Sequence, residues 1–191
     1  NDFPTASGLA SSASGFAALA AAARAAAGLP FDRSAISALA RSASISAARS
    51  ALGGYVELPL ASPNEQSLAA RQIAPPEHWP LRFVIAITTE AKKAVGSTAG
   101  MLHTSRTSPY YPSWVALAPV LCAEIREGVL ARDLARVGAA MEQSTFAMHA
   151  CMMASAPALI YLRPATLAVF ERVRSLREQD GIGVWATADA G

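Results

Sequence analysis

A run of small residues feeds directly into an alanine-rich helical pattern at the start of the chain, and this join constrains the rest. Residues 1–16 read Asn-Asp-Phe-Pro-Thr-Ala-Ser-Gly-Leu-Ala-Ser-Ser-Ala-Ser-Gly-Phe. The helical pattern runs from Leu9 to Gly28, and Gly28-Leu29-Pro30 stops it in the order that a C-terminal glycine and a following proline require. Alanine lies on every face, so the helix is thin and its neighbours must pack closely against it. Gly8 lets the backbone turn tightly and approach a ligand. Ser7, Ser11 and Ser12 place hydroxyls beside the unbonded N–H groups of a helix start, where the dipole favours an anion. A small-residue loop entering a helix N-terminus is, physically, a phosphate cradle. The same residues also describe an ordinary N-cap ahead of a buried helix.

The 191 residues suffice for one large domain or two small ones. They are 52% hydrophobic and 16% charged, which excludes a disordered chain and implies a substantial core. A net charge of +2, with no basic run beyond Lys92-Lys93, gives no argument for a nucleic-acid partner. The apolar run from Phe16 to Leu29 is short and interrupted by Arg24, so no membrane partner is expected. Cys122 and Cys151 form no metal-ligand spacing and no disulfide framework, and read as buried thiols suited to a reducing cytosol. His78, His103 and His149 share no spacing, which supports neither a zinc site nor a triad. Met148, Met152 and Met153 read as core residues.

Along the chain, Asp32 or Ser34 caps a second helix from about Ala35 to Ser46 or a little beyond. Gly53-Gly54 breaks the pattern, and residues 55–60 read as a strand. Residues 61–80 carry four prolines and read as a loop with one short helical turn. Leu81 to Thr89 is the strongest strand signal in the chain, β-branched and apolar. Residues 90–101 and 104–112 read as loops. Helices follow over about 113–129, 132–153 and 164–180, the last opened by Pro164. Val184 to Ala188 reads as a final strand. Grouped helices with a few strands give an α+β fold, with a seam near Pro80.

Three more stretches bear chemistry. In Arg41 to Ser50, Ser42, Ser44 and Ser46 alternate, which suits a turn better than a helix interior, and Arg49 offers a bidentate grip on an anion. In Glu90 to Met101, two lysines, two hydroxyls and two glycines suit a polyanion, although a solvated loop has the same composition. At the end, Asp189 follows a strand and precedes Gly191, a place where a carboxylate can be partly desolvated and act as a base. An aspartate in a terminal turn is otherwise routine.

Pro4 to Ser14 resembles the phosphate-binding loop of the GHMP kinase superfamily, of the form P-x-x-x-G-L-G/A-S-S-A. Arg41 to Val56 resembles a string of the mevalonate diphosphate decarboxylase family, R-x-G-S-G-S-A-C-R-S followed by G-G-[FY]-V. Glu90 to Met101 is similar to that family's K-K-x-x-S-S/G-S-T-x-G-M segment, and Thr107-Ser108-Pro109 extends the likeness. Val184 to Gly191 resembles its Y-T-x-D-A-G-P-N motif. The four stretches stand in family order and cover nearly the whole chain.

The resemblance implies a GHMP-kinase-like two-layer α/β sandwich. Residues 1–80 would be the later part of the ATP/phosphate-loop domain, of the ribosomal protein S5 domain 2-like type, and 81–191 a C-terminal domain truncated at its end. The chain is thus expected to be an internal segment of a longer protein. The implied reaction is ATP-dependent decarboxylation of mevalonate 5-diphosphate to isopentenyl diphosphate through phosphorylation of its 3-hydroxyl. The implied cofactors are ATP and Mg2+, and the implied setting is a cytoplasmic homodimer. Ser7, Gly8, Leu9, Ala10, Ser11 and Ser12 would hold ATP phosphates, with Ser12 near Mg2+ and the γ-phosphate. Ser44, Ser46 and Arg49 would hold the substrate's anionic groups, with Ser97 near substrate or phosphate and less weight on Lys92 or Lys93. Asp189 would act on the hydroxyl. Ala43 and Ile45 stand where the family has glycines and Ala48 where it has cysteine, which leaves open a kinase or decarboxylase acting on mevalonate or its monophosphate. A non-catalytic nucleotide-binding relic is the alternative of a different class.

Overall fold

The computed structural model describes residues 11–59, 69–89 and 94–189. The chain divides into two compact units, residues 1–81 and 82–191.

In the first unit, α1 (Ser11–Ala26) buries Ala13, Ala17 and Ala20. Their spacing of four and three puts all three methyls on one face. Gly28 ends the helix with φ +69°, a conformation that only glycine adopts without cost. Asp32 caps α2 (Arg33–Ala43), its Oδ1 accepting from the Ser34 and Ala35 N–H groups at 2.9 and 3.2 Å. A helix through Ser46 is not what forms. Ser44 turns extended after Ala43, its N–H closing on the Ala40 carbonyl, and Ser46 opens the short α3 (Ala47–Ser50). The Ser-rich stretch competes with helical bonding there, as its composition suggests. Ala47 and Ala48 are fully buried, and Ala13, Ala17, Ala20, Ile36, Ala40 and Ala47 form one cluster. An interface of methyl groups lets three helices approach closely, so the alanine content of α1 is a packing requirement.

Ser37 is the polar pin of this core. It is fully buried, donates to the Ala48 carbonyl at 2.7 Å and accepts from the Ala70 N–H at 2.8 Å. Ser37→Ala leaves both partners unsatisfied and is expected to cost about 1–3 kcal/mol. A lowered urea midpoint at unchanged m-value in the full-length protein checks this.

β1 (Tyr55–Glu57) pairs antiparallel with β2 (Arg71–Ala74), joining Val56 to Gln72 and Glu57 to Arg71, with a register shift between Tyr55 and Val56. β2 lies where the sequence suggests loop. Only Ile73 and Ala74 turn inward, and Pro75 and Pro76 follow at once, so the strand signal is faint. Arg71 and Glu57 form an ion pair at 2.8 Å across the pair. The Tyr55 ring stacks on Trp79, ahead of which Pro76–His78 forms the expected helical turn.

The second unit is built on α4 (Ser97–Thr107), α5 (Tyr111–Ala131), α6 (Leu134–Met153) and α7 (Pro164–Glu178). α4 takes in the end of the first and the start of the second of the two loops expected over 90–101 and 104–112. Its small and hydroxylated residues hide the helical period, and tertiary contacts decide it. Gly100 lies under the Tyr161 hydroxyl, Thr104 is buried, and the His103 Nε2–H donates to the Pro157 carbonyl at 2.8 Å. α5 and α6 pack as a helical hairpin, turned by Arg132 at φ 58° and capped by the Asp133 carboxylate on the Arg136 N–H. Leu121, Val129, Ala140, Cys151 and Met152 are buried there. Both cysteines are free thiols, and among the described residues no His, Cys, Asp and Glu group could hold a metal ion.

Two stretches read as strands give no ladder. Leu81 to Thr89 and Val184 to Ala188 belong to no sheet among the described residues, whose one sheet is β1 with β2. Phe83 is 80% and Val84 94% exposed, so side chains of both parities face solvent. A strand forms only where another backbone takes its N–H and C=O groups, which composition cannot supply. No described helix is long and apolar enough to cross a membrane.

Candidate active site

Ser11 and Ser12 occupy the first two positions of α1, where backbone N–H groups lack helical partners. Ser11 is half-buried and Ser12 exposed. Ser14 is turned away from any such role, donating to the Ser11 carbonyl at 2.9 Å. Ser7, Gly8, Leu9 and Ala10 lie outside the described residues, as do Lys92 and Lys93.

The break between α2 and α3 brings Ser44 and Ser46 together. Their hydroxyls share a hydrogen bond at 3.1 Å, and both are half-buried. Ser44 is extended at the end of α2 and Ser46 heads α3, so the turn itself orients the pair. Arg49, one turn on, is exposed. Arg41 reaches back to the Pro59 carbonyl at 3.4 Å. Ile45 points outward, 60% exposed. Two adjacent hydroxyls, with an arginine one helical turn along the chain, match an oxyanion by donor type and charge.

In the second unit, Ser97 is the first residue of α4, capped by Gly96, and is exposed. A loop serine is expected there; the structure instead places it at the positive end of a helix. Asp189 follows the segment 184–188. It is exposed.

The segment is held by α6. Arg177 of α7 grips Glu142 of α6 in a bidentate pair, both bonds 3.1 Å, donates to the Val184 carbonyl at 2.8 Å and lies over the Trp185 ring. The Glu142 Oε1 also accepts from the Ala186 N–H at 3.1 Å. Thr145 and Thr187 share a hydrogen bond at 2.7 Å. His149, 1% exposed, donates from Nε2 to the Ala188 carbonyl at 3.2 Å, an acceptor that fixes the proton on that nitrogen. Burial pushes the His149 imidazole below its ordinary value, opposed by the Ala188 carbonyl and the Asp189 charge, so it is neutral at neutral pH. Sequence reading found neither a zinc site nor a triad at His149 and passed over Glu142, Thr145 and Arg177. The available signal was the spacing of three and four that puts Glu142, Thr145 and His149 on one face of α6.

Comparison with known proteins agrees with this division. Residues 1–69 match the diphosphomevalonate decarboxylase-like N-terminal domain, and residues 83–191 match the mevalonate 5-diphosphate decarboxylase C-terminal domain. The chain belongs to the mevalonate 5-diphosphate decarboxylase family. A diphosphomevalonate decarboxylase of Candida albicans is 37% identical over 194 residues, taking in 100% of this chain and 53% of its own length. A solved mevalonate diphosphate decarboxylase from Staphylococcus aureus is 32% identical at a TM-score of 0.86, over 98% of this chain and 56% of that one. A family structure solved in complex with MVAPP, AMPPCP and magnesium is 31% identical at a TM-score of 0.87, over 99% of this chain and 57% of that one. The chain therefore has the α+β, GHMP-kinase-like fold of these decarboxylases. It spans about half the length of the curated relatives it matches.

Proposed function

We propose that the protein containing this chain decarboxylates mevalonate 5-diphosphate with ATP, giving isopentenyl diphosphate. Family membership across both units supports the reading, and the observation that carries it is the Ser44–Ser46 hydroxyl pair in the α2–α3 turn, with Arg49 one helical turn along the chain. In this reading the phosphate loop, Ser7, Gly8, Leu9, Ala10, Ser11 and Ser12, takes the ATP phosphates. Ser44, Ser46 and Arg49 hold the anionic groups of the substrate, Ser97 adds a hydroxyl and N–H at the start of α4, and Asp189 accepts the proton of the 3-hydroxyl. The hydroxyl oxygen then bonds to the γ-phosphorus as ADP leaves. Breaking the carboxyl carbon bond supplies the electron pair of the new double bond and expels phosphate from C3.

The donor set suits a Mg2+–nucleotide. Hydroxyls and helix N–H groups match phosphate oxygens, and Mg2+ that keeps phosphate and water ligands needs no carboxylate cage; Ser12 would be the hydroxyl that holds it. When bound, the ion would neutralise charge on the phosphates. A cytoplasmic homodimer is the expected setting.

One observation favours a second reading. Ile45 occupies a family glycine position, which leaves room for a kinase or decarboxylase acting on mevalonate or its monophosphate. Incubating full-length protein with ATP, Mg2+ and each mevalonate ester separates the readings. CO2 released from the 5-diphosphate alone is the expected result. A stable 3-phosphate product would establish a kinase instead, and nucleotide binding without phosphate release from any ester would leave a non-catalytic relic.

A further inference from the structure

Trp185, Ala186, Thr187 and Ala188 meet Gly138, Glu142, Thr145 and His149 one after another. A Cβ at position 138 would fall within the Trp185 indole, so the ring lies flat on bare helix backbone. Glu142 receives the Ala186 N–H at 3.1 Å, Thr145 bonds Thr187 at 2.7 Å, and His149 bonds the Ala188 carbonyl at 3.2 Å. The helix positions are spaced four, three and four apart, so they share one face of α6 within a narrow arc. The order is the same in both elements, which fixes the register of the segment with no neighbouring strand among the described residues. Arg177 closes the start by bonding Val184 while gripping Glu142. Thr145 and His149 are buried, and the bonds they make to the segment are part-buried.

We propose that this face of α6 is the positioning device for Asp189, and that His149, by holding the carbonyl one residue before it, sets where the carboxylate stands. The inference rests on the reading of Asp189 as the group that acts on the substrate hydroxyl. His149 touches no reacting atom in this scheme. It acts through the backbone, which explains why a neutral, buried imidazole with a single directed N–H is used.

The test uses His149→Leu and His149→Gln in full-length protein, each alone and combined with Asp189→Asn. Gln places its amide nitrogen near the position of the imidazole Nε2 and keeps the donor; Leu fills the space without it. His149→Leu is expected to lower kcat by about tenfold to a hundredfold, since a displacement near 1 Å suffices for such losses. KM for ATP and for substrate should stay within about twofold, and His149→Gln should recover most of kcat. In the Asp189→Asn background His149→Leu should add nothing, because the two act as one unit. Backbone amide exchange over 186–189 should rise in His149→Leu and return towards the parent in His149→Gln. Thr145→Val, which removes the Thr187 bond at nearly constant volume, serves as a second variant if His149→Leu does not fold, with a smaller loss of the same kind. Parent-like kcat in His149→Leu, no recovery in His149→Gln, or losses that multiply with Asp189→Asn would overturn the proposal. Full turnover in Asp189→Asn would instead reject the role of Asp189, while the exchange data would still decide whether His149 anchors the segment.

Discussion

Asp189→Asn is expected to lower kcat by about two to four orders of magnitude, the range lost when a positioned general base is removed. Asn has the same shape and can stay at the end of the 184–188 segment, so the loss is one of proton acceptance and charge. Nucleotide affinity should be unchanged, because the residues assigned to ATP phosphates lie at the start of the chain. Stability should also change little, since Asp189 is exposed. Steady-state kinetics with a parallel titration of an ATP analogue reads both quantities. Turnover within a few-fold of the parent would reject Asp189 as the base.

Gly138→Ala should produce the second large effect, through packing. The Trp185 indole occupies the space that a Cβ at position 138 needs, and the clash is with ring atoms attached to a segment tied at four further points. The ring cannot swing away without straining those bonds. A cost of about 1–3 kcal/mol is expected, as for other overpacked sites. This occurs even though Ala is the better helix former by about 1 kcal/mol at an unconstrained position. The melting temperature should fall by several degrees. Because the displaced residue leads into Asp189, kcat should fall as well. A variant as stable and as active as the parent would show that Trp185 does not fix the segment.

The parts of the fold written in local chemistry were legible in the sequence. Gly28 and Pro30 mark the end of α1, Asp32 caps α2, and Pro164 opens α7, because each end is decided by residues within a few positions of it. The alternating serines foretold the turn that joins Ser44 to Ser46. What was not legible depends on distant partners. Phe83, Val84, Ile85 and Ile87 have a strand's composition, but no backbone among the described residues pairs with them. α4 was hidden because Ser97 to Thr107 lacks an apolar stripe, its burial being supplied by Tyr161 and by Thr104, Ser108 and Ser155. The anchor for Asp189 was hidden for the same reason. Glu142, Thr145 and His149 acquire meaning only once residues some forty positions later lie across them. Candidate site residues came from ordered motifs, and the turn geometry supports the grouping of Ser44, Ser46 and Arg49 as a proposal.

The most direct test of the proposed activity is the paired yield of phosphate and CO2 from mevalonate 5-diphosphate labelled at its carboxyl carbon, using full-length protein with ATP and Mg2+. Equal yields of the two, both dependent on ATP and both lost in Asp189→Asn, are the predicted result. ADP formation with the label retained in a phosphorylated product would contradict it.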